Sequence, residues 1–477
     1  MNVTREKIIE KLVSLTDIER VVTDGEVLKE SSLDRFRRFE AYHGEYHNPL
    51  PAAVVYANST EEIAKVLTFA NEHGINVVPR TGQSATEGGL EVQIENSIVL
   101  DGSRMNKIID IDTYNMQATV QCGVPLQQLD DLLREQGFTT GHSPQSKPLA
   151  QLGGLTATRS IGQFSTLYGG IEDMVVGLEA VFPNGEITRI KNVPRRAAGP
   201  DIRHVAIGNE GTLCFITEVT VKIFPYYPEN NQFMGYLLDS MKNGFGILRD
   251  VMAAGYKPSV ARLYDGQDGS YHFSHFSGGR CVLIFVAEGP KAIAEGTAAA
   301  IKEIVDKTGE CTPVDPKLIE RWFNQLNWDP ANLEEERREI VELNNICNTT
   351  EISANWSVIH DIYEVCIKRL AETIPGLTLL GAHSSHSYLN GTNIYFVYFY
   401  TVDNPREELE KYHLPAKKII VEETLKAGGS MCHHHGVGKY RTPWIRDEYG
   451  SSYYILKTLK KAFDPEGIMN KGTIYDE

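Results

Sequence analysis

The pattern of apolar and polar residues in the first part of the chain predicts a β-α-β unit. Residues 52–56 form a short β-prone run, and Ser59-Thr60-Glu61-Glu62 has the form of a capping box at the start of a helix. Apolar side chains then recur at the three- and four-residue spacing of a helix face. Residues 75–78 form a second β-prone run, which we expect Pro79 to end. A helix between two strands is the usual connection of a parallel pair.

The rest of the chain divides into two regions with different patterns of predicted helices and strands. Up to residue 225 the pattern predicts strands at 97–100, 116–121, 175–182 and 215–223 and a helix at 126–136. Beyond it, helical patterns at 292–307, 316–326, 333–345, 360–374 and 453–463 alternate with β-rich runs at 281–287 and 393–400. The change near residue 226 predicts a second α+β domain.

Composition and charge narrow the class of protein. The 477 residues are 42% hydrophobic and 23% charged, which is typical of globular proteins. The net charge of −16, with no Lys/Arg block, argues against a nucleic-acid partner. No apolar run approaches the ~18 residues of a membrane helix, so we expect no membrane span. The first 15 residues lack the apolar core of a signal peptide, and seven scattered cysteines contain no CxxC, so we expect a cytoplasmic protein with reduced thiols.

A glycine-rich loop follows the second predicted strand. It contains Arg80, Thr81, Gly82, Gln83, Ser84, Ala85, Gly88 and Gly89. Glycines allow several backbone amides to approach one anion, and hydroxyl groups add donors, so such a loop can hold a diphosphate. The loop matches neither GxxxxGK[ST] nor GxGxxG, and a surface turn between strands is the open alternative.

Two further segments of small residues strengthen the cofactor interpretation. One runs from Gly141 through Gly153-Gly154 to Asp173, and the other runs from Gly199 through Gly208 to Glu218. Each lies beside a predicted strand. Three such segments favour a domain that wraps a long cofactor in backbone contacts.

These segments resemble the FAD-binding domain of the vanillyl-alcohol oxidase and p-cresol methylhydroxylase superfamily. The resemblance covers about residues 50–225 and the last 45 residues. Within the superfamily the sequence is most similar to the alkyl-dihydroxyacetone-phosphate synthases, flavoenzymes that exchange an acyl for an alkyl chain without net redox change. That likeness is carried by Thr140–Asp173, Gly199–Ile202 and Gly428–Lys439.

The resemblance implies an α+β fold, a domain layout and a cofactor. The fold is a two-part FAD-binding domain of the p-cresol methylhydroxylase type plus an α+β cap domain. The implied layout is an N-terminal segment 1–49, an FAD-binding domain 50–225, a cap domain 226–427 and a C-terminal segment 428–477 that returns to the FAD domain. The loop from Arg80 to Leu90 would hold the FAD diphosphate, and Ser143, Gly153, Gly154, Thr158 and Ile216 would line the rest of the cofactor.

His433-His434-His435 is the strongest local signal outside the glycine segments. A metal site is one interpretation, since His383 and His386 form a separate His-x-x-His pair and imidazole is a common ligand. Related 2-hydroxyacid dehydrogenases place two histidines and a glutamate at a metal, where this sequence has Tyr388, Tyr395 and His434. That exchange argues against their metal site. An accidental histidine run also stays open, but we predict a catalytic cluster without metal that faces the flavin and includes His434 and His435.

Tyr395 is the predicted catalytic tyrosine. In the synthase family a tyrosine in a pattern like residues 388–395 acts on the substrate's proton, and its last tyrosine corresponds to Tyr395. A phenol with a pKa near 10 needs a neighbouring cation to act as a base near neutral pH, and His434 and Arg441 are the expected helpers. The alternative is that Tyr395 is a structural residue, one of several aromatic residues in a buried strand.

Two departures from the synthases change the expected substrate. The synthases have an arginine at the position of His383, so a permanently charged anion clamp is missing there and a phosphate-bearing substrate is in doubt. Gly438 to Thr442 instead resembles phenol-oxidising members, in which the pair corresponding to Tyr440 and Arg441 holds a phenolate before the flavin. We expect Tyr395, His434 and Arg441 to face one cavity.

These observations favour an FAD-dependent oxidoreductase that removes hydride from a small alcohol, phenol or hydroxy acid. An alkyl transferase of the synthase type is the main alternative, and a flavin-binding protein without turnover is the third. Substrate identity, the electron acceptor and a covalent flavin link stay open. A homodimer stays open as well.

Overall fold

The computed structural model describes residues 3–35, 43–44, 46–327, 329, 335, 338 and 340–476. Within these ranges the chain forms three β-sheets, a two-stranded ribbon and helices packed on the sheets, so the predicted α+β class is confirmed. Its α-helices are Arg5–Leu15, Gly25–Glu30, Thr60–His73, Leu126–Glu135, Leu152–Ala157, Ser165–Tyr168, Ile171–Met174, Arg203–Ala206, Met241–Ala253, Gly266–Phe273, Lys291–Thr308, Pro316–Phe323, Ile359–Thr373, Leu414–Lys426, Ile445–Tyr449 and Tyr453–Phe463. No helix among these residues is long and apolar enough to cross a membrane.

The first sheet contains the predicted β-α-β unit. Its strands lie in the order Val21–Val22, Ala53–Tyr56, Ile98–Asp101 and Val77–Arg80, and the last three are parallel. The side chain of Ser59 accepts the backbone N–H of Glu62 at 3.3 Å and so caps the helix Thr60–His73 as predicted. The helix packs its apolar face on this sheet.

Pro79 does not end its strand, contrary to the prediction. The strand continues to Arg80, which pairs with Asp101. Val77–Arg80 is the edge strand of the sheet, where a proline without an N–H can sit without removing a hydrogen bond from an inner ladder. The glycine-rich loop therefore begins directly after Arg80, at the carboxyl end of a parallel strand.

The second sheet and the ribbon complete the first half of the chain. The sheet is antiparallel, with the order Ile108–Asp112, Gln117–Gln121, Phe215–Lys222, Val175–Val181 and Ile187–Ile190. The ribbon pairs Phe138–Thr139 with Phe224–Pro225. The helix Leu152–Ala157, which carries Gly153 and Gly154, packs on the second sheet.

The third sheet is antiparallel and has seven strands. Their order is Thr312–Val314, Gln232–Leu238, Cys281–Ala287, Val260–Tyr264, Leu377–Ser384, Gly391–Thr401 and Asn345–Asn355. Its register pairs Tyr264 with His383, His383 with Tyr395 and Tyr395 with Glu351, which brings distant segments together at one end of the sheet. In the range predicted as a helix at 333–345, residues 340–343 are helical and Asn345 already begins a strand. Residues 333, 334, 336, 337 and 339 of that range lie outside the described residues.

The end of the chain returns to the first sheet. Met469 forms a parallel bridge with Val77, and the Asn470 side chain donates to the backbone oxygens of Gly89 at 3.0 Å and Glu210 at 2.8 Å. These contacts hold two of the predicted cofactor segments against each other. The exact domain limits stay a prediction.

A buried cluster of four charged side chains joins the three parts of the fold. Arg441 donates to Glu87 at 2.9 Å and lies 3.2 Å from a carboxylate oxygen of Glu351, and Lys417 forms an ion pair with Glu87. All four side chains are almost completely buried. Burial alone would raise the pKa of Glu87, but Arg441 and Lys417 together hold that pKa well below its usual value. This charge cluster joins three separate regions of the sequence. One contains Glu87, the second contains Glu351 and Lys417, and the third contains Arg441.

We predict that Arg441→Met lowers the free energy of unfolding by about 3–5 kcal/mol, because it leaves two buried carboxylates without their shared cation. Arg446→Met is the matched control: Arg446 forms an ion pair with Asp476 at the surface, and its side chain is 58% exposed. We expect the control to cost less than about 1 kcal/mol. Chemical denaturation of both variants measures the difference. Equal effects would contradict the role given to the charge cluster.

Candidate active site

An elongated cavity of about 1630 Å³ runs between the first two sheets and the third. The volume includes open solvent at the mouth, and the lining joins the glycine-rich loop to residues of the third sheet. The cavity walls include fifteen of the nineteen site residues that the sequence proposed. The predicted residues at the wall are Arg80, Thr81, Gly82, Gln83, Ser84, Ala85, Gly89, Gly153, Gly154, Thr158, Ile216, His383, Tyr395, His434 and His435.

The glycine-rich loop forms one end of the cavity. Arg80 is buried there, and its Nε donates to Asp101 at 2.6 Å. Its Nη1 is also buried but has no hydrogen-bond partner within the described structure. A Cβ on Gly82 would stand 3.0 Å from the backbone N of Gln151, so glycine lets two loops approach closely. An unpartnered guanidinium nitrogen beside a glycine loop fits the diphosphate of FAD.

Gly88 and Ser143 do not line the cavity, contrary to the prediction. Gly88 has a φ of +74°, and a Cβ there would stand 2.8 Å from the ring of Tyr440. This glycine therefore serves the packing of the loop. The hydroxyl of Ser143 donates to Asn327 at 3.0 Å, which directs it toward the cap.

Tyr440 and Arg441 are not among the residues that line the cavity either, so the geometry gives no support to their interpretation as a phenolate clamp. The hydroxyl of Tyr440 donates to Glu91, and its ring covers Gly88. Arg441 is fully buried among Glu87, Glu351 and backbone oxygens. The physical reason is charge: two buried carboxylates need this cation, which leaves it unavailable to a substrate.

Three histidines form a cluster on the cap side of the cavity, with His386 buried and His433 and His434 half-buried. Nδ1 of His386 lies 2.8 Å from the hydroxyl of Ser165, Nε2 of His433 lies 2.9 Å from the hydroxyl of Tyr388, and Nδ1 atoms of His433 and His434 lie 2.9 Å apart. Burial lowers the pKa of His433 to about 4 and holds the pKa of each of the other two well below its usual value. All three imidazoles are therefore neutral at pH 7.

The same cluster has the spacing of a possible metal site. One nitrogen from each of His386, His433 and His434 lies within 4.8 Å of the others. Neutral imidazole is the form that binds transition metals, so the geometry leaves this alternative open. The absence of a metal stays a prediction.

Two carboxylates hold the histidine loop in place. Glu351 accepts the backbone N–H groups of His433 at 2.5 Å and His435 at 2.8 Å. Glu210 accepts those of Val437 at 2.7 Å and Gly438 at 2.8 Å. Burial raises the pKa of Glu210 to about 7 despite these bonds. The loop is thus fastened through its backbone, which leaves the imidazoles to line the cavity.

Tyr395 lies in the cavity wall but not in the environment expected for a base. Burial raises the pKa of its phenol, and its oxygen accepts a hydrogen bond from Thr349 at 3.1 Å. Its ring stacks on His383 with the centroids 5.0 Å apart and on His434 with the centroids 5.9 Å apart. Neither predicted helper lowers its pKa, since His434 is neutral and Arg441 belongs to the charge cluster.

Sequence reasoning missed Arg262, a cation on the third sheet that reaches the cavity wall. It lies in the strand Val260–Tyr264, where its Nη1 donates to Gln163 at 3.2 Å and its Nη2 lies 3.5 Å from Nε2 of His383. Its buried Nε has no hydrogen-bond partner in the described part of the chain. One arginine inside an otherwise apolar strand was the available signal.

Two family models match most of the chain. The FAD binding domain matches residues 51–191, and the C-terminal domain of FAD linked oxidases matches residues 227–474. The cavity lies where these two regions meet. FAD is therefore the cofactor, as the glycine segments predicted.

Curated relatives include an uncharacterized FAD-linked oxidoreductase, YgcU of Escherichia coli O157:H7, which is 62% identical over 100% of this chain and 99% of its own length. An alkyldihydroxyacetonephosphate synthase of Dictyostelium discoideum is 28% identical over 88% of this chain and 72% of its own. The glycolate oxidase subunit GlcD of Bacillus subtilis is 26% identical over 90% of each chain.

Solved structures show the same fold. An alkyldihydroxyacetonephosphate synthase superposes with a TM-score of 0.78 at 23% identity, covering 98% of this chain and 84% of its own. Substrate-bound p-cresol methylhydroxylase superposes with a TM-score of 0.77 at 19% identity, covering 99% and 97%. The predicted fold is thereby confirmed. On the two domain matches and the full-length likeness to YgcU, the chain belongs to the FAD-linked oxidoreductases.

Proposed function

We propose that this FAD-linked oxidoreductase oxidises a small 2-hydroxy acid. Arg262 in the cavity wall carries the proposal. Among the three substrate classes that the sequence left open, a phenol loses its support because Tyr440 and Arg441 lie outside the cavity. A neutral alcohol gives Arg262 no anion to bind.

Arg262 has the properties of a carboxylate clamp. A guanidinium stays charged at any physiological pH and offers five N–H donors in a planar fork. Among the described residues, none of its contacts is a carboxylate: it meets Gln163, His383 and the rings of Tyr264 and Trp322. A half-buried cation without an ionic partner is costly unless a ligand supplies the charge. Because Arg262 lies at the cavity wall, a bound substrate is in position to supply that negative charge.

Bound FAD supplies the electron acceptor for the hydrogen that leaves the substrate carbon. The chain's own residues bind and enclose the substrate. Arg262 would hold the carboxylate, and the rings of Tyr395 and His434 would form apolar walls that exclude water. A 2-hydroxy acid carries its reacting carbon next to the carboxylate, so holding the carboxylate orients the carbon.

An alkyl transferase of the synthase type is the second candidate. The 28% identical synthase and the shared fold favour it, and a guanidinium can hold a phosphate as well as a carboxylate. Transfer without net redox change predicts a different result. The substrate would bleach the flavin reversibly and exchange its acyl chain for an alkyl chain.

We also propose a cytoplasmic location, supported by seven free cysteines. The electron acceptor and the oligomeric state, including the homodimer, stay predictions.

The first prediction concerns substrate class. Under anaerobic conditions we expect at least one of glycolate, D-lactate and L-lactate to bleach the flavin permanently, because each carries a hydroxyl beside a carboxylate. Ethanol and p-cresol should leave flavin absorbance unchanged. Bleaching by p-cresol alone would contradict the proposal, and reversible bleaching by acyl-dihydroxyacetone phosphate with alkyl product formed would establish the transferase.

The second prediction concerns Arg262. We expect Arg262→Met to raise KM for the active hydroxy acid about 30-fold or more, since a charged hydrogen-bonded contact is worth about 2–5 kcal/mol. Arg262→Lys should retain part of the affinity because it keeps the charge but loses the planar fork.

Arg280→Met is the matched control, because Arg280 lies near the same sheet but pairs with Asp239 at the surface. Steady-state kinetics and the flavin spectrum test all three variants. An unchanged KM in Arg262→Met would remove Arg262 from the substrate site.

A further inference from the structure

His383 lies in the cavity wall beside Arg262 and has a buried carboxylate behind it. Its Nδ1 is 2.6 Å from Oδ2 of Asp268, a side chain with no solvent exposure. Asp268 belongs to the helix Gly266–Phe273, which packs against the strand Leu377–Ser384 that carries His383. A Cβ on Gly381 would stand 2.7 Å from the backbone N of Asp268, so this glycine lets helix and strand approach closely. The function proposed above makes no use of Asp268.

Two neighbours determine which ring nitrogen of His383 carries the proton. Burial alone would raise the pKa of Asp268, but His383 and His272 beside it together hold that pKa below its ordinary value, so Asp268 is a carboxylate and only accepts. It therefore takes its hydrogen bond from Nδ1–H. On the other side, Nη2 of Arg262 lies 3.5 Å from Nε2, and a guanidinium only donates. Both contacts require a protonated Nδ1 and a lone pair on Nε2.

The other histidines of the cavity wall lack this arrangement in the described structure, and Nδ1 of His386 meets the hydroxyl of Ser165 at 2.8 Å rather than a carboxylate. Nδ1 of His435 stands 3.7 Å from both Glu87 and Glu351 and makes no hydrogen bond. His434 faces the Nδ1 of another histidine. Burial keeps Tyr395 protonated by raising its pKa. His383 thus has a basic nitrogen of defined position next to the proposed carboxylate clamp.

We propose that His383 is the base that takes the hydroxyl proton of the substrate, and that Asp268 is its positioning residue. The inference rests on the proposed function, since a 2-hydroxy acid held by Arg262 presents its hydroxyl next to Nε2. The hydroxyl O–H bond breaks and its proton goes to Nε2. The carbinol hydrogen leaves with its electron pair to the FAD, and the carbon–oxygen bond becomes the double bond of a 2-oxo acid. The imidazolium that results is stabilised by the negative charge of Asp268.

Asp268→Asn in the FAD-bound protein tests the positioning role without use of substrate. An Nδ1–H that donates to a carboxylate gives a proton resonance far downfield in the ¹H NMR spectrum. We expect that resonance in the wild type and its loss in both Asp268→Asn and His383→Gln. Its absence from the wild type, or its persistence in Asp268→Asn, would overturn the Asp268–His383 pairing.

The base role is tested by anaerobic flavin reduction with glycolate, D-lactate and L-lactate. We expect Asp268→Asn and His383→Gln to slow reduction by the active acid about 10²–10⁴-fold, because general base catalysis and tautomer control each reach this size. KM should change little, because Arg262 remains. Asp250→Asn, at an exposed site on another helix, is the matched control and should keep the wild-type rate.

These experiments distinguish a failure of the base role of His383 from a failure of the proposed function. A wild type that no 2-hydroxy acid reduces would remove the proposed function and with it the base role, while the NMR resonance still decides whether Asp268 positions His383. A wild type that is reduced, together with an Asp268→Asn variant that loses the resonance but keeps the wild-type rate, would overturn the base role alone. Unchanged flavin absorbance and thermal stability exclude misfolding as the cause of a lower rate.

Discussion

The buried guanidinium of Arg441 is the constraint on which the rest of the structure depends. It meets Glu87 from the cavity loop and Glu351 from the third sheet, and Lys417 balances the second negative charge. Glu351 also holds the backbone of the histidine loop at two N–H groups. One buried cation therefore fixes the cofactor loop, the cap and the histidine loop relative to one another. Losing it would leave charges that this interior cannot solvate.

The balance of these charges also determines what the cavity can bind. Two carboxylates face two cations within the cluster, so its net field on the cavity is small although Glu87 lies in the wall. His433 and His434 are neutral, so they add no charge to the cavity. Arg262 is then the positive group that a substrate anion meets among the described residues away from the glycine loop. An anionic substrate follows from this arrangement more directly than a phenol does.

Sequence reasoning identified local features well, because they depend on neighbouring residues. The capped helix after Ser59, the glycine loop after Arg80 and the histidine run all lie where expected, and most of these residues line the cavity. It failed on Pro79, because nothing local marks a strand as the edge of a sheet. It did not foresee the buried contacts of Tyr440 and Arg441, because their partners Glu91, Glu87 and Glu351 are about 90 or more residues away in sequence.

Arg262 and Asp268 escaped for the same reason. Only the order of strands in the third sheet places Val260–Tyr264 beside Leu377–Ser384, which brings Arg262 and Asp268 to His383 across more than a hundred residues. No pattern within either segment predicts that contact.

The most direct test of the account is whether the cavity binds a carboxylate at Arg262, in front of the flavin. Oxalate resembles glycolate in size and presents a carboxylate, but it has no carbinol hydrogen to give up. Titrated into the oxidised protein, it should shift the flavin absorbance saturably, and Arg262→Met should abolish the shift. A flavin spectrum that responds to p-cresol but not to oxalate would contradict the account.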